Sequence, residues 1–201
     1  MKITLFIIIL ILIILLYESY RRNSAMTDDK EKAILTKDTT LEISRRVLNA
    51  RDPAELYQFI LESCLTLIPK ARYGSILMFT SEGLLAARAF VGFDSSQINN
   101  FSLKLEESFL YITTEGKLDR AVMVNRPEEI APNNIIARSL PVKAEISAPL
   151  QLNGENFGIL CVDGDQIDIF TEQDLHILEY MSNQISIVIK VIRWLSLAVF
   201  T

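Results

Sequence analysis

Ala144-Glu145-Ile146-Ser147-Ala148-Pro149-Leu150-Gln151-Leu152, then Asn153-Gly154-Glu155, then Asn156-Phe157-Gly158-Ile159-Leu160-Cys161-Val162 is the stretch on which the fold turns. Ile146, Ala148 and Leu150 alternate with Glu145, Ser147 and Pro149, and Leu160 and Val162 keep the two-residue period beyond the turn. With Asn-Gly between the two runs, the stretch reads as an antiparallel hairpin. A second hairpin reads from Tyr73–Phe79 and Leu84–Val91, joined across Thr80-Ser81-Glu82-Gly83. Two hairpins imply an antiparallel sheet.

Outward from the sheet, the period lengthens on both sides. Asp52-Pro53 has the form of an N-cap followed by proline at the first helical position. Leu56, Phe59, Ile60, Cys64, Leu67 and Ile68 then recur at helical spacing until Pro69 ends the run. At the other end, Thr171 can cap a long helix carrying Leu178, Met181, Ile185, Val188, Ile192, Leu195 and Val199 in 3-4 alternation. Ile177, Tyr180, Ile187, Val191, Trp194 and Ala198 form a second stripe beside it. One stripe can cover the sheet, and the other needs a partner. Between the hairpins lie a short strand at Phe101–Leu105, a helix at about Glu106–Thr114, a strand at Ala121–Val124 and an irregular stretch from Asn125 to Lys143. A connection of that length in a compact domain reads as a lid or binding loop.

The amino-terminal end differs from the rest. Ile3 to Tyr17 is an apolar run closed by Glu18, Arg21 and Arg22. At ~1.5 Å per residue it spans roughly 22 Å, and Met1 and Tyr20 can extend it toward the ~30 Å hydrocarbon core. It reads as an uncleaved single-pass anchor, since no small-residue cleavage site follows. The arginines after the run place the carboxy-terminal bulk in the cytoplasm, and two cysteines agree with a reducing compartment. Beyond a polar linker, Ile34, Leu41 and Leu48 lie seven apart on a further helical pattern. The expected organisation is an anchor over 1–20, a juxtamembrane linker and helix over 21–39, a sensory domain over 40–192, and an extension of the last helix over 193–201.

Composition narrows the function. The chain has 201 residues, one His, two Cys, seven Gly and a net charge of −5. That excludes multi-histidine and zinc-cluster chemistry and argues against nucleic acid, whose phosphates demand a basic face. No GxGxxG or GxxxxGK[ST] run is present to cradle a phosphate.

Several local strings, in their order and spacing over about Thr40 to Ile192, resemble the GAF domain family. They are Asp52-Pro53-Ala54-Glu55-Leu56, Ile68-Pro69, Gly74-Ser75-Ile76-Leu77, Glu145-Ile146-Ser147-Ala148-Pro149-Leu150, Phe157-Gly158-Ile159-Leu160-Cys161-Val162-Asp163 and Phe170-Thr171-Glu172-Gln173-Asp174-Leu175. Leu105-Glu106-Glu107-Ser108-Phe109 with Gly116-Lys117-Leu118-Asp119-Arg120 resembles the variant found upstream of diguanylate cyclase domains in membrane-anchored bacterial sensors. The resemblance implies an α+β, GAF-like and PAS-related fold, in which terminal helices cover one face of a central antiparallel sheet and a ligand pocket opens under loops on the other. With the anchor, one transmembrane helix precedes it. It also implies homodimerisation through the first and last helices. No Gly-Gly-Asp-Glu-Phe-like string occurs, so the chain reads as a stand-alone sensor or as the sensor fragment of a truncated diguanylate cyclase. Methionine sulfoxide reductases of this family rely on a cysteine set that the chain lacks, and its bilin-binding members use a loop cysteine. Neither catalytic residues nor a cofactor or metal is therefore expected. The signature of the cyclic-nucleotide subset is missing too.

Strand alternation sorts the sheet into two phases. Ile76/Met78, Ala87/Ala89, Ile146/Ala148/Leu150 and Leu160/Val162 form the apolar phase, expected beneath the helices. Ser75, Arg88, Phe90, Glu145, Ser147, Cys161 and Asp163 form the other, which mixes polar handles with apolar bulk as small-molecule pockets do. The candidate ligand contacts are Ser75, Arg88, Phe90, Ser108, Tyr111, Arg138, Glu145 and Ser147. The alternative is that this phase is simply the solvated face of a half-buried sheet. His176 reads as a surface residue, and Cys64 and Cys161 as buried structural thiols. Asp163, Asp165 and Asp168 have the look of a calcium loop, but the required Gly and closing Glu are out of place, so they read as exposed acids of a strand-to-helix turn. The expected function is a small-molecule sensor that signals through a dimeric helical bundle; the rival is a non-catalytic dimerisation scaffold.

Overall fold

The computed structural model describes residues 38, 41, 42, 45, 52–98, 101–132 and 140–199, with the backbone alone at 53, 97 and 191–199. The chain divides into two compact units, Met1–Asp38 and Thr39–Thr201, and every element below belongs to the second. Its helices are α1 (Pro53–Leu67), α2 (Ser95–Ile98), α3 (Phe109–Thr114), α4 (Pro127–Ile130) and α5 (Glu172–Val199). Its strands are β1 (Tyr73–Phe79), β2 (Leu85–Val91), β3 (Ser102–Leu103), β4 (Val122–Val124), β5 (Ala144–Leu152) and β6 (Glu155–Gly164). They form one six-stranded antiparallel sheet in the order β3-β2-β1-β6-β5-β4.

Both expected hairpins are present. The β5–β6 turn is tighter than the three residues read from sequence, because Asn153 and Gly154 alone adopt positive φ (54° and 80°) and Glu155 already belongs to β6. This is the two-residue turn whose twist matches that of its strands. Helix α1 starts as the sequence predicts: the Asp52 carboxylate accepts from Ala54 N at 2.9 Å, and Pro53 opens the first turn. Helix α5 is held at its start by a reciprocal pair, in which Asp174 N donates to Thr171 Oγ1 at 3.5 Å. Thr171 N donates to Asp174 Oδ2 at 2.9 Å, and Thr171 Oγ1 donates to the same oxygen at 2.6 Å. Lys70 stands 3.5 Å from that carboxylate, tying the end of α1 to the start of α5.

These two helices cover one face of the sheet. Ile60, Leu61, Cys64 and Ile68 of α1 and its C-cap, with Leu178, Met181, Ile185 and Ile189 of α5, pack on Ile76, Ala89, Ile146, Ala148, Leu160 and Val162. Full burial of one such side chain contributes roughly 1.5–3 kcal/mol, so this layer dominates the stability of the unit. Gly74 permits the close approach of α1, since a Cβ there would lie 2.7 Å from Leu65 Cδ1 and 3.0 Å from Leu61 Cδ1. Of the second stripe on α5, Ile177 is buried in the same core, whereas Tyr180 and Ile187 are 42% and 48% exposed.

Two expectations and one alternative reading are corrected. Single-pass membrane localisation is overturned: among the described residues, no helix is long and apolar enough to cross a membrane, and the 3–17 run on which that expectation rested lies outside them. Ala87 does not share a face with Ala89. Ile76 pairs with Ala89 and Leu77 with Ala87, so Arg88 is the extra residue of a β-bulge and the phase flips across it. Finally, the polar phase is not a solvated face. A second apolar cluster covers it, built from Phe93, Ile98, Leu103, Phe109, Leu110, Leu118 and Val142 over Leu77, Leu85, Val122, Val124, Ile159 and Cys161.

Candidate functional site

Antiparallel Cα partners share a face, so the pairings arrange the loop-covered side of the sheet in rows across the strands. Toward the β5–β6 turn, Ala87, Leu77, Ile159 and Pro149 form an apolar row. Next come Phe90, Ser75, Cys161, Ser147 and Val122, a row with hydroxyls and a thiol at its centre. Last come Tyr73, Asp163, Glu145 and Val124, which place two acids side by side. Polarity therefore rises along the strands toward the end where β5 begins and β6 finishes.

The acid row is buried. Glu145 and Asp163 are each 3% exposed, Ser75 is 5% and Ser147 is fully buried. Burial raises the Glu145 carboxyl to about 7, with the nearby Ser147 hydroxyl acting in the opposite direction. Burial, and then the charge of Glu145, lift Asp163 well above the ordinary carboxylate range. Cys161 is pushed up by its own burial and then by both acids, against a lowering contact from Ser75. Among the described residues, Ser147 Oγ and Asp163 Oδ1 are buried without a hydrogen-bond partner of ordinary geometry, although the Ser147 hydroxyl lies near enough to Glu145 to lower its carboxyl. At the edge of the row, the Tyr73 ring stacks on Phe93 with centroids 4.9 Å apart.

The elements around this end are pinned. Asn125, just past β4, donates to Phe170 O and accepts from Phe170 N, both at 3.3 Å, and its carbonyl accepts from Asp168 N. Arg126 Nε donates to both oxygens of Asp168, at 3.1 and 3.2 Å. The Asp168 carboxylate, chiefly through these hydrogen bonds, raises the Arg126 guanidinium further, and Arg126 in turn holds Asp168 below its usual range. The end of β4 and the loop after β6 are thus fastened beside the acid row.

The structure gathers Ser75, Phe90, Glu145 and Ser147 of the candidate contacts onto one face. Ser108 is spent on structure: its hydroxyl accepts from Tyr111 N at 3.2 Å and donates to Leu105 O at 2.7 Å, capping α3. Tyr111 is half-buried against the loop-side cluster. Its ring is backed by Gly116 (φ 78°), where a Cβ would meet it at 3.0–3.1 Å. Arg88 is exposed in the bulge, apart from the rows, and Arg138 lies outside the described residues. Sequence reasoning missed Asp163 as a contact. Read as an exposed turn acid, it belongs to β6, and only Asp165 and Asp168 are exposed. The strand phase does place it with Cys161 on the polar face, although it is not counted among the candidate contacts.

Cys64 and Cys161 are free and buried, in different clusters on opposite faces of the sheet. Burial pushes the Cys64 thiol up to about 12. His176 is exposed on α5.

Comparison with known proteins places the architecture. The family model of the GAF domain matches residues 50–190. Among solved structures, the chain is similar to the GAF domain of a phosphoenolpyruvate-protein phosphotransferase from Coxiella burnetii, with TM-score 0.64 and 17% identity, over 82% of this chain and 98% of that one. It is also similar to free methionine-R-sulfoxide reductase from Neisseria meningitidis in complex with its substrate, with TM-score 0.63 and 17% identity, over 81% and 93%. A third likeness is to the phycoerythrobilin-bound GAF domain of a cyanobacterial phytochrome, with TM-score 0.62 and 12% identity, over 77% and 94%. At these identities the likeness is one of fold. No curated protein matches the chain at a significant level.

Proposed function

The chain belongs to the GAF domain family, and from that membership we propose that it is a non-catalytic sensory domain whose loop-covered sheet face binds a small molecule. The observation that carries this reading is the pair of buried, unpartnered polar atoms, Ser147 Oγ and Asp163 Oδ1, on one face beneath the loops. Buried polar groups are almost always satisfied, and leaving one without a partner costs about 1–3 kcal/mol. A ligand that supplies partners recovers that loss on binding. Neither described thiol favours thiolate chemistry, since burial raises both.

Signalling would run through the helices. α5 covers β5 and contacts α1, so a ligand that alters the opposite side of β5 can reweight how the helices pack. Exposed Tyr180 and Ile187 on α5, and Leu41 (49% exposed), offer apolar surface for a homodimer through the first and last helices. The effect of a ligand is limited to its affinity difference between the two packings.

The test is thermal melting and native mass spectrometry of the full-length chain against a metabolite panel, for the wild type and for Ser147→Val. A ligand whose stabilisation disappears in the variant supports the reading. A stable dimer that retains and gains no ligand leaves the scaffold alternative.

A further inference from the structure

Among the described residues, the acid row lacks a counter-charge. Among the described residues, the Lys and Arg ion pairs go to Asp174, Asp165, Asp119, Glu129, Asp168, Glu128 and Glu155, and none goes to Glu145 or Asp163. Two carboxyls facing each other across the β5–β6 ladder, each 3% exposed, are an expensive arrangement unless protons or a cation neutralise them. Protons meet only part of the need. One proton shared between the two carboxyls still leaves the pair with a net negative charge, and among the described residues no group donates to Asp163 Oδ1. Ser147 Oγ, on the same strand face two residues from Glu145, is also unpartnered.

The neighbouring groups select the sign of the missing species. The row continues into Val124 on one side and Tyr73 on the other, so it carries no positive charge to hold an anion. The stacked Tyr73–Phe93 pair adds aromatic faces, which attract a cation and not an anion. We propose that this face binds its ligand through a protonated nitrogen, an ammonium or guanidinium whose N–H groups donate to Glu145, to Asp163 Oδ1 and to Ser147 Oγ. Two carboxyls and a hydroxyl provide the acceptors that a multi-donor cation needs, and a hydrogen-bonded charge pair held away from water is stronger than its exposed counterpart. The inference rests on the reading of this face as a ligand site and narrows it to one chemical class.

The experiment titrates the full-length, ¹⁵N-labelled chain at constant ionic strength. Ethylammonium and methylguanidinium are the probes, with tetramethylammonium, acetate and acetamide as controls. The first two should give saturable shifts at the amides of Glu145, Ser147 and Asp163. Tetramethylammonium, which has the charge without N–H donors, should bind at least about tenfold more weakly, and acetate and acetamide should give no saturable shift. Glu145→Gln should weaken both probes by about tenfold or more. Ser147→Ala, which keeps both acids, should weaken them less and guards against a folding defect in the first variant. The proposal is overturned if the cations leave these amides unmoved, or if Glu145→Gln binds them as well as the wild type. If acetate or acetamide shifts the same amides instead, the face is a ligand site of another class. If no probe of any charge moves them and the metabolite panel is also silent, the ligand-site reading falls too.

Discussion

The two faces of the sheet are both buried, but by different means. On the helix-covered face, Ile76, Ile146, Leu160 and Val162 meet α1 and α5 with apolar surface on both sides. The polar groups there are satisfied locally, as with Ser186 Oγ donating to Ser182 O at 2.7 Å. On the loop-covered face the same strands carry Ser75, Glu145, Ser147, Cys161 and Asp163 under short helices and loops, with two buried atoms unsatisfied. Alternation along one strand thus gives β5 a stabilising side and a side that carries a cost. The difference teaches where function resides: stability is concentrated under the long helices, which permits the opposite side to keep groups that stability alone would remove.

The largest expected effect breaks the helix-covered side. Ile185→Ala should lower unfolding free energy by about 3 kcal/mol, because a fully buried side chain is cut back in a layer that cannot collapse around it. Urea denaturation measures this, and a loss below about 1 kcal/mol would mean that α5 packs loosely on the sheet.

A comparable effect of opposite sign is expected across the sheet. The folded chain holds the Glu145 proton up to about pH 7, whereas the unfolded chain releases it near 4.5. The folded state therefore binds more protons in that window, and wild-type stability falls as pH rises through it. Asp163, also raised, adds a slope of the same sign. Glu145→Gln should be more stable than the wild type above pH 7 by up to about 3 kcal/mol, and should show no such gain below about pH 4. Denaturation curves across this range decide it; a gain that is the same at every pH would show that the carboxyl's charge is not the cause.

The smallest pair sharpens the contrast using one residue type. Ser186→Ala should cost about 1 kcal/mol, since it removes a satisfied hydrogen bond. Ser147→Ala should cost nothing or gain about 1 kcal/mol, since it removes an orphaned hydroxyl. Equal losses in the two variants would erase the distinction between the faces.

Much of this was legible in the sequence. The Asp52-Pro53 cap, both hairpins and the 3-4 alternation of α5 are local signals, and the structure shows each close to where it was read. The face shared by Ser75, Phe90, Glu145 and Ser147 followed from strand period alone. What failed depended on information that periodicity does not hold. The Arg88 bulge inserts one residue and flips Ala87 to the other face, and no local residue pattern announces it. Asp163 carries two readings in the sequence, polar strand phase and exposed turn acid, and only the first holds, because strand ends are set by tertiary pairing, here with Tyr73 and Glu145, and not by composition. Ser108 looked like a ligand contact because a serine's role as cap or contact depends on the helix that follows it, and α3 begins at Phe109, three residues later than a reading from Glu106 implies.

Site-specific ¹³C titration of the side-chain carboxyls tests the central claim most directly, in the free chain and with ethylammonium present. Tyr73 and Cys161 are the other ionisable side chains on these two rows. The account predicts that Glu145 titrates near 7 in the free chain, and that its titration moves toward the ordinary carboxylate range when the cation binds. A Glu145 carboxyl that titrates near 4.5 in the free chain and does not respond to the cation would contradict it.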